Sequence, residues 1–368
     1  MARPSKALIS RSALRHNYQL ACSIAPNSKN IAVIKANAYG HGDFLVAQIL
    51  EDLAPAFAVA CIEEALALRK QGITKPIMLL EGVFEEQEIA LADKHNFWIM
   101  VVNKQQCDWI VNSKVANKLT VWLKVDTGMH RLGLQSLEIN DVFTRLYECH
   151  HINSKIVLAS HFSNADDVED NNTEEQMSRF LWIKEQLQAL HGGKLDLPCS
   201  LANSPGILAW PDSHFDWNRP GFMLYGNSPL LKGNNNDKKL KPVMTLVSEI
   251  ISIRTINVGE SVGYGSTWIA KRPSKIATVA IGYGDGYPRI AKSGTPTLVN
   301  GKIAPLAGRV SMDMITIDVT DHQNVKLGDE VILWGPDLLA NKVGEQAQTI
   351  GYEILTRMPL RTPRVVVK

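Results

Sequence analysis

Residues 31–42 read Ile-Ala-Val-Ile-Lys-Ala-Asn-Ala-Tyr-Gly-His-Gly, an apolar run that delivers one lysine to its end and then turns through glycines beside a tyrosine. Ile31, Ala32, Val33 and Ile34 have the unbroken apolarity of a strand buried on both faces, as in a parallel sheet, and Lys35 follows directly. Desolvation disfavours the ammonium form of an amine held there, so Lys35 is a candidate neutral nucleophile toward a carbonyl. Asn37, Gly40, His41 and Gly42 suit a tight turn whose backbone N–H groups, with the Tyr39 phenol, would hold an anion such as phosphate. An amine beside a phosphate cradle is what pyridoxal 5'-phosphate (PLP) requires. Taken alone, the segment fits a lysine snorkelling out of a strand end equally well.

A chain of 368 residues, 45% hydrophobic and 21% charged, can bury a large core, and two domains are expected. Its net charge of +2, with no basic block or tail, singles out neither nucleic acid nor an anionic membrane as partner. No apolar run approaches a membrane span, and the short apolar stretch within Met1–Ile9 does not make a signal peptide, so a cytoplasmic location is expected. Cys22, Cys61, Cys107, Cys149 and Cys199 are scattered, without a Cys-x-x-Cys pair, and read as reduced, mostly buried thiols. Adjacent side chains at Cys149, His150 and His151 do not converge on one ion, and no metal is expected.

To deliver Lys35 into a site, the chain must build a scaffold around it. Strand-like runs recur at 32–34, 57–60, 77–80, 98–102, 121–125, 156–159, 200–202 and 222–225, separated by stretches with helical spacing. One such stretch is 173–190, where Thr173 and Gln176 have the form of a capping box. This alternation predicts an α/β fold with an N-terminal (β/α)8 barrel over residues 10–232, whose catalytic groups lie at strand C-terminal ends, where Lys35 falls. A polar linker follows, from Lys232 to Pro242. Beyond it, short β-rich runs at 248–256, 276–281, 297–303, 314–319 and 330–333, with an Asn300-Gly301 turn, predict a C-terminal all-β domain over 242–368. Residues 1–9 are expected to associate with that domain. Neither a dinucleotide fingerprint nor a P-loop is present.

Further motifs join the first in order along the chain: Leu123-Lys-Val-Asp-Thr-Gly-Met-His-Arg-Leu-Gly133, Ala159-Ser-His161, Ala202-Asn-Ser204, Asn218-Arg-Pro-Gly221, Val262-Gly-Tyr-Gly265, Gly282-Tyr-Gly-Asp-Gly-Tyr-Pro-Arg289 and Val310-Ser-Met-Asp-Met314. Together they resemble the bacterial alanine racemases, PLP enzymes built of a barrel and a C-terminal β domain, over essentially the whole chain. Racemisation takes a proton from one face of an amino acid and returns one to the other, so two acid/base groups are needed. The resemblance implies Lys35 and Tyr264 in those roles, with His161 and Arg219 close to the tyrosine. Arg219 is implied at the pyridine nitrogen, where a guanidinium cannot yield its proton and the ring stays a weaker electron sink than one held by a carboxylate. Phosphate binding falls to Tyr39, Ser204, the Gly221 backbone and Tyr352. Pro205, where the family carries a small residue, puts the geometry of that loop in question.

By the same resemblance Arg131 holds the substrate carboxylate, Met312 offers it a backbone N–H, and Lys124 matches a lysine that many members carry as a carbamate. Asp166, Tyr283, Arg289 and Arg309 line the entrance. Tyr264 and Met312 reach into the partner subunit's site, which implies a homodimer with shared active sites. The expected function is interconversion of L- and D-alanine to supply D-alanine for peptidoglycan. Its alternatives are a racemase of broader or different choice, such as serine or lysine, a PLP-dependent barrel decarboxylase, and a non-catalytic PLP-binding barrel. The last of these looks like a barrel alone, which the residues after Pro242 argue against.

Overall fold

In the computed structural model, which describes residues 3–193 and 195–368, seven parallel strands follow one another around the N-terminal domain. They are Ala32–Val33, Phe57–Val59, Ile77–Leu79, Phe97–Val101, Val121–Lys124, Val157–Ala159 and Cys199–Ser200, each hydrogen-bonded to the next in chain order. Parallel neighbours need a crossover between them, and helices supply it after most strands. Covered by those helices outside and by packed side chains inside, Phe57, Ala58, Val59, Ile77, Met78 and Leu79 have no exposed surface. That burial on both faces explains why these runs are uniformly apolar.

The ring closes elsewhere than the apolar pattern suggests. Residues 222–225 form a 3-10 turn, Phe222–Tyr225, and the closing strand is the two-residue Trp217–Asn218. It pairs in parallel with Lys29–Asn30; the Ile31 N–H donates to the Asn218 carbonyl at 2.9 Å on one side, and the Arg219 N–H to the Ala202 carbonyl at 2.9 Å on the other. The expected Thr173–Gln176 capping box also does not form. Helix Asn172–Leu190 starts from Asn171 without a side-chain cap, and Gln176 is buried, donating to the His161 carbonyl at 3.0 Å.

The C-terminal domain is organised by the strand Met244–Ile256, which changes partner at a bulge between Ile250 and Ser252. Its first half pairs with Glu330–Trp334 and its second with Ser274–Val279, which in turn pairs with Ile315–Asp318. The run at 297–303 is a hairpin, Pro296–Val299 with Lys302–Pro305, turned through Asn300 (φ 51°) and Gly301 (φ 75°). Lys6–Ser10 lies in the same sheet, antiparallel to Met244–Ile256 and parallel to Arg364–Val367, and Ser10 then accepts the Ala13 N–H to cap the first barrel helix. Met1 and Ala2 of the expected N-terminal segment lie outside the described residues. The C-terminal β domain also carries two short helices, Ala340–Gln346 and Gly351–Thr356, between its last strands. The second brings Tyr352 against the barrel, its ring stacked on Phe222 at 3.7 Å.

All five cysteines are free, and no described helix is long and apolar enough to cross a membrane. Cys149 lies 3.3 Å from His151 Nε2, which is also 2.8 Å from the Ile110 carbonyl.

Candidate active site

Lys35 leaves its strand into a turn of rare handedness. Ala36, Asn37, Ala38 and Tyr39 all have φ between 51° and 54°, and Gly40 follows at 80°. Each left-handed residue with a Cβ costs about 1–2 kcal/mol, so contacts on every side must hold the turn. Ala36 donates to Glu64 at 2.6 Å and Asp43 N–H to the Asn37 side chain at 3.0 Å; the Arg364 guanidinium donates to the Gly40 carbonyl at 2.9 Å. His41 is buried and pushed down to about 4 by desolvation, so it is neutral, and its Nδ1 lies 2.9 Å from the Tyr39 carbonyl. The turn consumes its own amides: Ala38, Gly40, His41 and Gly42 donate to carbonyls within it. The Gly40, His41 and Gly42 N–H groups expected to cradle an anion are therefore already bonded within the segment, and the Tyr39 phenol is the group of this segment that faces the cavity.

The amine lies at the mouth of the barrel in a cavity of about 560 Å³ that also takes in Tyr39, Lys124, Arg131 and His161. Ser204, Arg219, Gly221 and Tyr352 line it too. Ser204 opens the helix Ser204–Ala209, and its hydroxyl accepts the Gly221 N–H at 3.0 Å and the Met223 N–H at 3.2 Å. A Cβ at Gly221 would come within 2.8 Å of the Tyr39 hydroxyl, so glycine here is what lets that phenol and the backbone share one small space. Pro205 costs the loop nothing. It sits in the first turn, where no intrahelical bond needs its nitrogen, and Asn203 caps the helix through the Gly206 N–H at 3.1 Å.

Arg219 is held without an acid. Its guanidinium donates to Ser200 Oγ, to the Ser160 carbonyl at 2.5 Å and to the Leu201 carbonyl at 3.1 Å, and burial pushes it down to about 10. No ion pair to it occurs among the described residues. Burial also lowers Lys35 and pushes Lys124 down to about 8, with Arg219 and Arg131 adding to the second shift by repulsion. His161 lies well below its ordinary range for the same reasons. Repulsion from Arg131 and Arg219 thus adds to desolvation in disfavouring the charged lysines and imidazole, and with Glu81 the carboxylate among the lining residues the field in the cavity is positive. Such a field selects an anionic ligand.

The remaining candidates do not reach it within one chain. Tyr264 and Met312 are exposed on the β domain, as are Tyr283, Arg289 and Arg309, and Asp166 lies on a loop where its carbonyl accepts the Leu231 N–H at 3.0 Å. They form a built surface nonetheless. The Tyr283 and Gly284 N–H groups donate to the Ser311 and Met312 carbonyls at 3.0 and 2.9 Å, and Arg309 packs beside Gly265. Beneath them Asp285, fully buried, is clamped by Arg3 at 2.6 Å and Arg361 at 3.0 Å, and Arg361 also reaches Asp313 at 2.5 Å. Glu81 and Glu64 belong to no motif of the sequence, whereas Asn203 lies inside Ala202-Asn-Ser204 and Phe222 opens the apolar run 222–225. Asn203, one residue before Ser204, carries a readable N-cap signal; Glu64 and Glu81 carry none.

The donor set suits PLP: a desolvated amine, a hydroxyl and N–H cradle, and a buried guanidinium with no carboxylate beside it. Two family models match the chain, described as the N-terminal domain of alanine racemase over residues 9–229 and its C-terminal domain over 243–366. An alanine racemase of Chromohalobacter salexigens is 47% identical over 364 residues, covering 99% of this chain and 98% of its own. The biosynthetic alanine racemase of Pseudomonas aeruginosa superposes with a TM-score of 0.93 at 44% identity, over the full length of both chains. That of Bartonella henselae, solved with covalently bound pyridoxal phosphate, has a TM-score of 0.88 at 31% identity over 99% of each chain. With both domains matched and near-complete coverage of its relatives, the chain belongs to the alanine racemase family.

Proposed function

We propose that this chain interconverts L- and D-alanine with PLP, using Lys35 on one face of the substrate and Tyr264 of a second copy on the other. The observation that carries the reading is the pairing, in one cavity, of a desolvated Lys35 with a buried Arg219 that has no acidic partner. The cofactor, when bound, supplies a carbonyl for the amine and a ring into which charge at the substrate α-carbon can spread.

The chain's own groups supply the rest. Tyr39, Ser204 and Tyr352 would hold the phosphate through their hydroxyls, adding donors without adding charge, and the Gly221 N–H would join them by turning from Ser204 Oγ, to which it donates at 3.0 Å, toward the phosphate. Arg219, fixed by three oxygen acceptors, would hold the pyridine nitrogen of the cofactor with a guanidinium that does not yield its proton, which would limit charge spread and favour simple return of a proton over side reactions. Arg131 presents its fork to the substrate carboxylate. Lys35, with its amine poised by burial, holds and returns the proton on the D face; the Tyr264 phenol does so on the L face.

The second face needs a homodimer. In support, Tyr264 and Met312 are 71% and 53% exposed in the single chain, and nothing among the described residues accepts the Met312 N–H. Lys124 is proposed as a carbamate: at about 8 its amine is available to carbon dioxide, and the anion formed would sit among Arg131, Arg219 and Lys35. Asp166, Tyr283, Arg289 and Arg309 are assigned to the entrance, and D-alanine supply for peptidoglycan, in the cytoplasm, is the proposed role. Racemisation assays over alanine, serine and lysine, with carbon dioxide release followed in parallel, test the reading. Release of carbon dioxide without racemisation would overturn it.

A further inference from the structure

The strands Ala32–Val33 and Phe57–Val59 run side by side, with rungs from the Ala32 N–H to the Ala56 carbonyl at 3.2 Å and from the Ile34 N–H to the Ala58 carbonyl at 2.8 Å. By the same two-residue step, the next rung would join the Ala36 N–H to the Ala60 carbonyl. It does not form. Ala36 has turned left-handed, and the Ala60 carbonyl accepts the Glu81 N–H instead, at 3.3 Å.

Glu64 stands in that gap. One carboxylate oxygen accepts the Ala36 N–H at 2.6 Å and the other accepts the Ala60 N–H at 2.8 Å. Glu64 is the third residue of helix Ile62–Lys70, where a capping glutamate would fold back on the N–H of its own cap, Cys61. Here it reaches across to the neighbouring strand end. Both bonds join a full negative charge to backbone amides, the stronger class of hydrogen bond. Asn37 and Arg364 anchor the far part of the left-handed turn, whereas Glu64 grips it at the residue next to Lys35.

We propose that Glu64 is a positioning residue for Lys35: its carboxylate replaces the missing rung, fixes the start of the left-handed turn, and so aims the amine into the cavity. This rests on Lys35 being the amine that bonds the cofactor. A neutral glutamine offers one acceptor oxygen for two amides, and its NH2 group faces the other, so Glu64→Gln should release one grip at nearly constant volume.

The test uses full-length chain freed of cofactor and then supplied with pyridoxal 5'-phosphate, the covalent adduct being fixed by borohydride and counted by mass. In Glu64→Gln the rate of attachment should fall by about ten-fold or more, because small misplacement of a reacting group is costly. The half-saturating cofactor concentration, set by the phosphate cradle, should stay within about two-fold, and kcat should fall with KM for alanine little changed. Hydrogen exchange at residues 36–41 should quicken while the other strand ends keep their protection. Wild-type attachment and exchange in Glu64→Gln would overturn the proposal; so would uniform loss of protection around the barrel, which would make Glu64 a general brace. Glu64→Ala, losing both acceptors, should exceed Glu64→Gln in every readout. Lys35→Ala separates the two claims: if it still becomes covalently labelled at the same peptide, the assignment of Lys35 fails; if it does not and Glu64→Gln behaves as wild type, only the Glu64 proposal fails.

Discussion

At the barrel mouth Arg219 is 5% exposed and held by three oxygen acceptors, whereas on the face of the β domain Tyr264 is 71% exposed. Both regions carry residues of catalytic type, yet one is enclosed and the other faces solvent. The enclosed half obtains its chemistry from desolvation, which lowers Lys35 and Lys124 and keeps a cationic field unscreened. The open half lies exposed to solvent, over the buried Asp285 held between Arg3 and Arg361. In the proposed homodimer each of these halves would be completed by a second copy, in a twofold arrangement where the same pair of surfaces meets twice.

The largest effects should separate the halves. Lys35→Ala should abolish covalent cofactor attachment and cut activity by about 10⁴, the upper end for a positioned acid/base. Tyr264→Phe should retain the attachment. Followed by proton NMR in heavy water, it should still exchange the α-hydrogen of D-alanine while exchange of L-alanine falls by about 10² to 10⁴. Equal loss for both enantiomers would leave Tyr264 as a packing or gating residue.

Mixing these two inactive chains tests the sharing directly. With free exchange of subunits half the dimers are mixed, and each mixed dimer has one site with both residues intact, so activity should return to about one quarter of wild type. No recovery despite demonstrated exchange would mean that each chain supplies its own second base. A smaller effect is expected within the enclosed half. Gly221→Ala places a methyl 2.8 Å from the Tyr39 hydroxyl, and loss of that phenol as a phosphate donor should weaken cofactor retention by about ten-fold, measured by dialysis and absorbance.

The same contrast explains what the sequence could show. Barrel strands were legible because burial on both faces forces runs such as Phe57–Val59 to be wholly apolar. The closing strand was not, since Trp217–Asn218 is two residues long and half polar, while the apolar Phe222–Tyr225 turns into a 3-10 segment just after Pro220 and Gly221. Gln176 has the spacing of a cap, and only the fold reveals a buried amide reaching the His161 carbonyl. The helix carrying Tyr352 is six residues long, too short for periodicity to register. Lys35, Arg219 and Ser204 stood out through their motifs. Glu64 and Glu81 did not: an acidic residue near a helix start or a strand end is ordinary, and only the missing rung beside Ala36 gives Glu64 a purpose.

Lys124 offers the smallest and most exacting measurement. Its amine is pushed down to about 8 in the folded chain, against about 10.5 for an exposed lysine, chiefly by burial. Because the folded value is depressed, the unfolded chain binds more protons between those two values, and stability must rise with pH across that window. Below pH ~8 the folded chain bears the full cost of a buried cation beside Arg219 and Arg131; near pH ~10.5 that cost has vanished. In cofactor-free protein and carbon-dioxide-free buffer, Lys124→Met should therefore raise Tm by about 2–4 °C at pH ~7 and by nothing at pH ~10.5. Bicarbonate should raise the wild-type Tm and leave the variant unmoved, since carbamate formation turns a repelled cation into an anion among cations. An identical pH dependence in both proteins would remove Lys124 from the list of strained charges. A bicarbonate effect equal in both would show that the carbamate, if formed, sits elsewhere.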